Sequence, residues 1–204
     1  DGIEPVACDR WIAIYAAFVS HAWNPDANRF RNFMGFDRQW LENIGSNDSN
    51  GRAIWALGVA AATAPTLGVR DWARSLFGEA IDHLAGIDSP RAKAFKMLGS
   101  VAMLSDEPEH AGLLAFIAEW GERLIQLYQD TKRDKWHWFE PVLAYDNARL
   151  PEALIRAGVL LRRDDFLEVG LGALEWLNAI QTGPSGHFSA IGSDSFNRPF
   201  ADPL

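Results

Sequence analysis

The sequence holds one cysteine, Cys8, in 204 residues. A single thiol can neither close an internal disulfide nor build a cysteine-rich zinc site, and it leaves a reducing compartment open, so a cytoplasmic location is the expectation. Basic residues are also scarce: 19 Lys and Arg stand against 27 Asp and Glu, for a net charge of −8. Nucleic acid and anionic lipid both need a basic patch to replace their counterions, so neither is an expected partner. Every apolar stretch is interrupted by charge before it reaches the ~18 residues of a membrane span. There is no Gly-x-Ser-x-Gly elbow, no glycine-rich phosphate loop, no β-α-β alternation and no metal-ligand cluster at helical i, i+4 spacing. Metal and nucleotide cofactors are therefore not expected.

What is present is a globular composition, 48% hydrophobic and 23% charged, with nine tryptophans. Apolar residues recur at helical spacing in seven segments, running from about Pro5 to Trp23, Asn50 to Ala64, Val69 to Leu84, Pro90 to Leu104, Pro108 to Lys132, Ala148 to Leu161, and Asp164 to Ile180. Ser49 or Asn50 is expected to cap the second, Ser89 with Pro90 to open the fourth, Asp106 to precede the fifth, and Pro151 to mark the first turn of the sixth. Short loop hairpins are expected at Arg29 to Phe36 with Gln39 to Asn43, at Trp136 to Phe139 and at His187 to Ile191. The fold class is all-α.

Connection lengths are uneven. About 25 residues separate the first two helices, about 15 the fifth and sixth, and more than about 20 follow the seventh, against a usual 2 to 8 or so between packed helices. In an antiparallel array every second joint lies at the same end, so the three long connections are expected to emerge together. The even helices carry small residues such as Ala53, Ala56, Gly58 and Ala60. The third, fifth and seventh carry charges such as Asp71, Glu79, Glu119, Glu122 and Glu168 on one side. The expected architecture is an α/α toroid of helical hairpins, forming one domain over residues 1–204. Seven helices fall short of a closed ring, so the chain is expected to be a segment of a longer one, with other domains of that parent among its partners.

Three stretches would line the mouth. In Ser46-Asn47-Asp48-Ser49-Asn50-Gly51-Arg52, capping accounts for some of the polar groups, while Asp48 and Arg52 are either a solvated i, i+4 ion pair or part of a site. In Trp136-His137-Trp138-Phe139-Glu140-Pro141, extended chain puts Trp136 and Trp138 on one side and His137 and Phe139 on the other, so one pair can pack inward while the other meets the cavity. Tyr145, Asp146, Asn147 and Arg149 follow, just before a helix N-terminus that favours negative charge. The third stretch is Gly186-His187-Phe188-Ser189-Ala190-Ile191-Gly192-Ser193-Asp194. Trp40 and Arg38 join from the first long loop. Trp11, Trp55, Trp72, Trp120 and Trp176 lie on helices and are expected in the core.

Ser46 through Gly58, Trp136 through Leu154, and Gly186-His187-Phe188 together resemble the helical domain of bacterial glycosyltransferase- and glycosidase-related proteins, whose architecture is similar to that of six-hairpin glycosidases. Ser89-Pro90-Arg91-Ala92 fits the same pattern. This chain has Asn47 where the family carries glutamate and Asn50 where it carries histidine. The resemblance implies an oligosaccharide or polysaccharide ligand, and aromatic faces with carboxylates, amides and arginine suit a sugar ring and its hydroxyls.

Two readings follow. In the first, paired carboxylates cleave or transfer a glycosidic bond, with Glu140 as proton donor, Asp48 or Asp146 as its partner, and Trp40, Arg52, Trp136, His137, Trp138, Tyr145, Asn147, Arg149 and His187 positioning the sugar. In the second, the same groups bind glycan without cleaving it, in a domain attached to a separate transferase. Carboxyls facing each other across a cleft would favour the first, and carboxyls tied to arginines the second. A third possibility, that the loops merely pack, requires Trp40, Trp136, Trp138, Phe139 and Phe188 all to be buried.

Overall fold

The computed structural model describes residues 5–191 and 199–200. Among these, the chain is all-helical, with α1 (Pro5–Ala22), α2 (Asn47–Thr63), α3 (Leu67–Ile81), α4 (Pro90–Met103), α5 (Ala111–Thr131), α6 (Arg149–Leu161) and α7 (Asp164–Ile180), and one small antiparallel hairpin, β1 (Trp23–Asn24) and β2 (Arg29–Phe30). No helix among the described residues is long and apolar enough to cross a membrane. Packing divides the chain into two compact units, up to His110 and from Ala111 onward.

In the first unit, α2 lies against both α3 and α4. Its close neighbour α4 is reached through glycine: a Cβ on Gly58 would stand 2.1 Å from the Gly99 carbonyl oxygen, and one on Gly51 would stand 2.6 Å from that of Ala92. Gly51 and Gly58 meet Ala92 and Gly99 in the same order along both chains, so α2 and α4 run parallel, with α3 returning between them in sequence. Every residue of α4 from 91 to 100 is buried, including Arg91, Lys93 and Lys96. Lys96 donates to the Ile81 carbonyl at 2.8 Å, placing a cation at the C-terminal, negative end of α3.

Ser89 caps α4 and Pro90 occupies its first turn, as expected. The cap of α2 lies earlier than expected: Ser46 accepts the Ser49 amide at 3.1 Å, and Ser49 and Asn50 are already inside the helix. The hairpin is also displaced. Arg29 and Phe30 pair with Asn24 and Trp23 across a turn that puts Asn28 at φ 52, while the expected fold-back on Gln39 to Asn43 is short, with Leu41 donating to the Phe33 carbonyl at 3.0 Å and Gly35 to that of Gln39 at 2.9 Å around the Met34–Trp40 bridge. Helix α1 is the least covered. Trp11, expected in the core, is 53% exposed together with Ile14, Tyr15 and Phe18, and the Trp72 indole donates to Ser20 Oγ at 2.7 Å.

The second unit is an antiparallel array of α5, α6 and α7. Buried Leu113, Ile117, Gly121, Leu124, Tyr128 and Thr131 recur every three or four residues along α5, the spacing that keeps one stripe inward. Gly121 makes room for the Phe166 ring, which a Cβ would approach to 2.1 Å. Arg163, at the start of α7, bridges Glu122 on α5 and Asp165, both at 2.6 Å. The hydrogen bond from its guanidinium holds the Asp165 carboxyl below the usual carboxylate range. Asp106 and Pro108 do not open α5. They form a turn in which Asp106 and Glu107 donate to the Met103 carbonyl, and the helix begins at Ala111. The charges expected outward on α3, α5 and α7 are exposed, among them Asp71, Glu79, Glu119, Glu122 and Glu168.

Candidate functional site

The polar start of α2 is held by Asn50. Its side chain accepts the Phe30 amide at 2.8 Å and donates to the carbonyls of Phe30, Gly45 and Ser46 at 3.3, 3.3 and 2.9 Å. One buried amide therefore joins the hairpin, the loop and the helix. Asp48 Oδ2 takes the Arg52 Nε–H at 2.7 Å, and the Arg52 guanidinium lies 4.3 Å from the Phe95 ring centre. The i, i+4 pair is formed and orients Arg52 along α2. Trp40 is half-buried, with the Phe18 and His21 rings at 5.8 and 5.3 Å and the Arg31 guanidinium at 5.7 Å.

In the second unit the 132–148 connection is anchored by its own aromatics. The Trp136 indole donates to the Glu140 carbonyl at 2.8 Å, and Thr131 Oγ1 donates to the Phe139 carbonyl at 3.3 Å. Trp138 stacks at 5.9 Å on Trp176, Trp136 meets Trp176 edge-on at 5.2 Å, and Phe139 packs on Tyr128 at 5.6 Å. Trp136, Trp138 and Phe139 are thus all buried, and only His137 of this run is half-exposed. The expected two-sided strand, with one aromatic pair left for a ligand, does not form. The chain bends from 138 through 142, which breaks the strand alternation, and the Trp176 face of α7 takes both indoles. Trp136 and Trp138 belong to the core of this unit.

The polar residues that follow are closer to solvent. Asp146 adopts a left-handed backbone at φ 50, a conformation that short polar side chains tolerate best among non-glycine residues. Asn147 is buried and bonds the Ala144 amide and carbonyl at 3.0 and 2.9 Å, closing the loop on itself. Arg149 reaches Asp146 at 3.3 Å and Glu152, and Glu152 in turn takes Arg156 at 2.9 Å, a chain of alternating charges along the first turns of α6. Glu140 is half-buried at the mouth of this loop.

After α7 the chain doubles back. Gly183 and Ser189 donate to the carbonyls of His187 and Gln181 at 2.9 and 2.7 Å, giving the third expected turn, and the His187 ring sits 2.6 Å from Ser185 Oγ. Gly192, Ser193 and Asp194 of that stretch lie outside the described residues. Between the 144–148 loop and the 181–191 segment runs a groove of about 330 Å³, flanked by Tyr145, Asp146, Asn147, Gln181 and Phe188. Tyr145 is 44% exposed and Phe188 73%, so the loop aromatics are not all packed away. Three residues expected in a site, Tyr145, Asp146 and Asn147, do share this groove. His187, whose neighbour Phe188 takes the lining position, does not. Asp48, Arg52 and Trp40 belong to the first unit.

Sequence reasoning undervalued Phe188 and missed Gln181. Phe188 was legible as an aromatic between two glycines, whereas Gln181 carries no signal until the chain reverses beside it. Comparison with known proteins returns no match: no family model, no curated protein and no solved structure matches the chain.

Proposed function

We propose that this chain is a carbohydrate-binding domain of the α/α-toroid type, taking an oligosaccharide or polysaccharide at the groove beside the α6 N-terminus without cleaving it. The observation that carries the reading is the pairing, in one groove, of two exposed rings, Tyr145 and Phe188, with the polar side chains of Asp146 and Gln181. A sugar ring presents an apolar face for such rings and hydroxyls for such polar groups. A volume of about 330 Å³ lies at the small end of ordinary ligand sites, which span roughly 300–1,000 Å³. Binding is favoured over hydrolysis because Asp48 and Asp146, two of the three candidate acids, are each engaged by an arginine of their own helix region, Arg52 and Arg149. The toroid itself rests on the helix pairing within each unit and on the resemblance in the three stretches.

The test is an oligosaccharide panel screened by thermal shift and calorimetry, with product analysis on every responsive glycan. A shift without product, lost in Tyr145→Ala and Phe188→Ala variants that still fold, is expected. Steady product formation that disappears in Glu140→Gln would instead establish the hydrolytic reading. No response to any glycan would remove the carbohydrate assignment.

A further inference from the structure

The first unit carries a second groove, of about 270 Å³, where the end of α1, β2 and the first turns of α2 come together. Phe18, Ala53 and Ala56 form its apolar side, and Arg31, Asn32 and Arg52 its polar side. The carboxylates of this region are already engaged: Glu42 accepts the Asn32 and Phe33 amides at 2.6 and 3.1 Å, and Asp48 holds Arg52 at 2.7 Å. Arg31 is different. It is half-buried, and among the described residues it has no carboxylate partner; its Nη1 makes one long hydrogen bond, 3.4 Å to the Trp23 carbonyl, and its buried Nε has no acceptor.

A guanidinium taken partly out of water without a counter-ion is unfavourable, and its planar fork matches the oxygens of a carboxylate or phosphate. We propose that this groove binds a small amphipathic anion, a ring-sized apolar body resting on Phe18, Ala53 and Ala56 and carrying one carboxylate or phosphate group that Arg31 receives. The net charge of −8 does not oppose this. At physiological salt, charges beyond the Debye length of about 8 Å are largely screened, so the local guanidinium outweighs remote acids. The site is independent of the glycan groove, and either assignment stands if the other falls.

Four probes decide the matter on the full chain by saturation-transfer NMR and calorimetry: benzoate, phenyl phosphate, benzyl alcohol and inorganic phosphate. Benzoate, phenyl phosphate or both should bind, and the stronger of the two identifies the head group. Benzyl alcohol, lacking the charge, and inorganic phosphate, lacking the apolar body, should bind at least about tenfold more weakly, the equivalent of about 1.4 kcal/mol. Arg31→Gln should lower anion affinity by a similar factor. Ala56→Leu, which fills the groove and leaves Arg31 in place, should also abolish binding, and it decides the question if the arginine variant does not fold. Three results would overturn the site: no saturation transfer from either organic anion at millimolar concentration, benzyl alcohol binding as well as benzoate, or unchanged anion binding in the folded variants.

Discussion

Asn50 shows how much a single side chain does here. It is fully buried and makes four hydrogen bonds to three backbone segments, and its removal strands the Phe30 amide and the Gly45 carbonyl, while the Phe30 and Ser46 carbonyls keep the Gly45 and residue-50 amides. Buried groups left unsatisfied cost ~1–3 kcal/mol each. Asn50→Ala should therefore lower unfolding stability by about 3 kcal/mol, read as a drop in the urea midpoint at unchanged slope. Tyr128 makes a second prediction. Burial desolvates its phenol and pushes the pKa above its ordinary value of 10.0. The folded state thus prefers the neutral ring, and the associated stability is complete below pH ~10 and lost as pH rises through the raised value. Urea midpoints measured from about pH 9 to pH 11 should fall in the native chain and fall less steeply in Tyr128→Phe. Residues of this kind are legible in the sequence only as polar or aromatic letters. That Asn50 would reach back to Phe30, twenty positions earlier, depends on where the hairpin is placed.

Helices were the most legible elements. The 3.6-residue period marks α5, α6 and α7 because each buries one stripe and leaves the opposite side charged. Boundaries moved where a local signal had two readings: Ser46 and Ser49 are both acceptable caps, and only the Ser46 hydroxyl meets a free amide three residues on. The α2–α4 contact was not legible, since Gly58 in a helix reads as a propensity penalty until Gly99 is seen against it. Helix contacts this close make glycine substitutions diverge sharply. Gly58→Ala should destabilise by about 3 kcal/mol, the upper range for overpacking. Gly172→Ala, on a face of α7 with nothing within 4 Å, should stabilise by about 0.5–1 kcal/mol by helix propensity and a less flexible unfolded chain. Thermal melts of the two variants, shifted in opposite directions, check both.

At the scale of the whole molecule, the two compact units meet in sequence at the 104–110 turn, where Ser105, Asp106, Pro108, Glu109 and His110 are exposed. Exposed joints of this kind are where proteases cut first. Limited digestion with a glutamate-specific protease should yield its earliest fragments from cleavage after Glu109, since Pro108 protects the bond after Glu107, as mass spectrometry of the first products would show. Cleavage first inside α5 or α7 would contradict this division. The sequence by itself determined the helical class, the helices' order and near-limits, and the acidic surface, because these rest on period, capping and charge, which are local. It also singled out the loops after α1, α5 and α7. Only the tertiary structure decided which loop aromatics are available. Trp136 and Trp138 lie in a loop yet are buried, because Trp176 offers them a wall, while Trp11 on a helix is exposed, because nothing among the described residues covers that side of α1. A tryptophan is apolar enough for either place, and its burial is settled by neighbours distant in sequence.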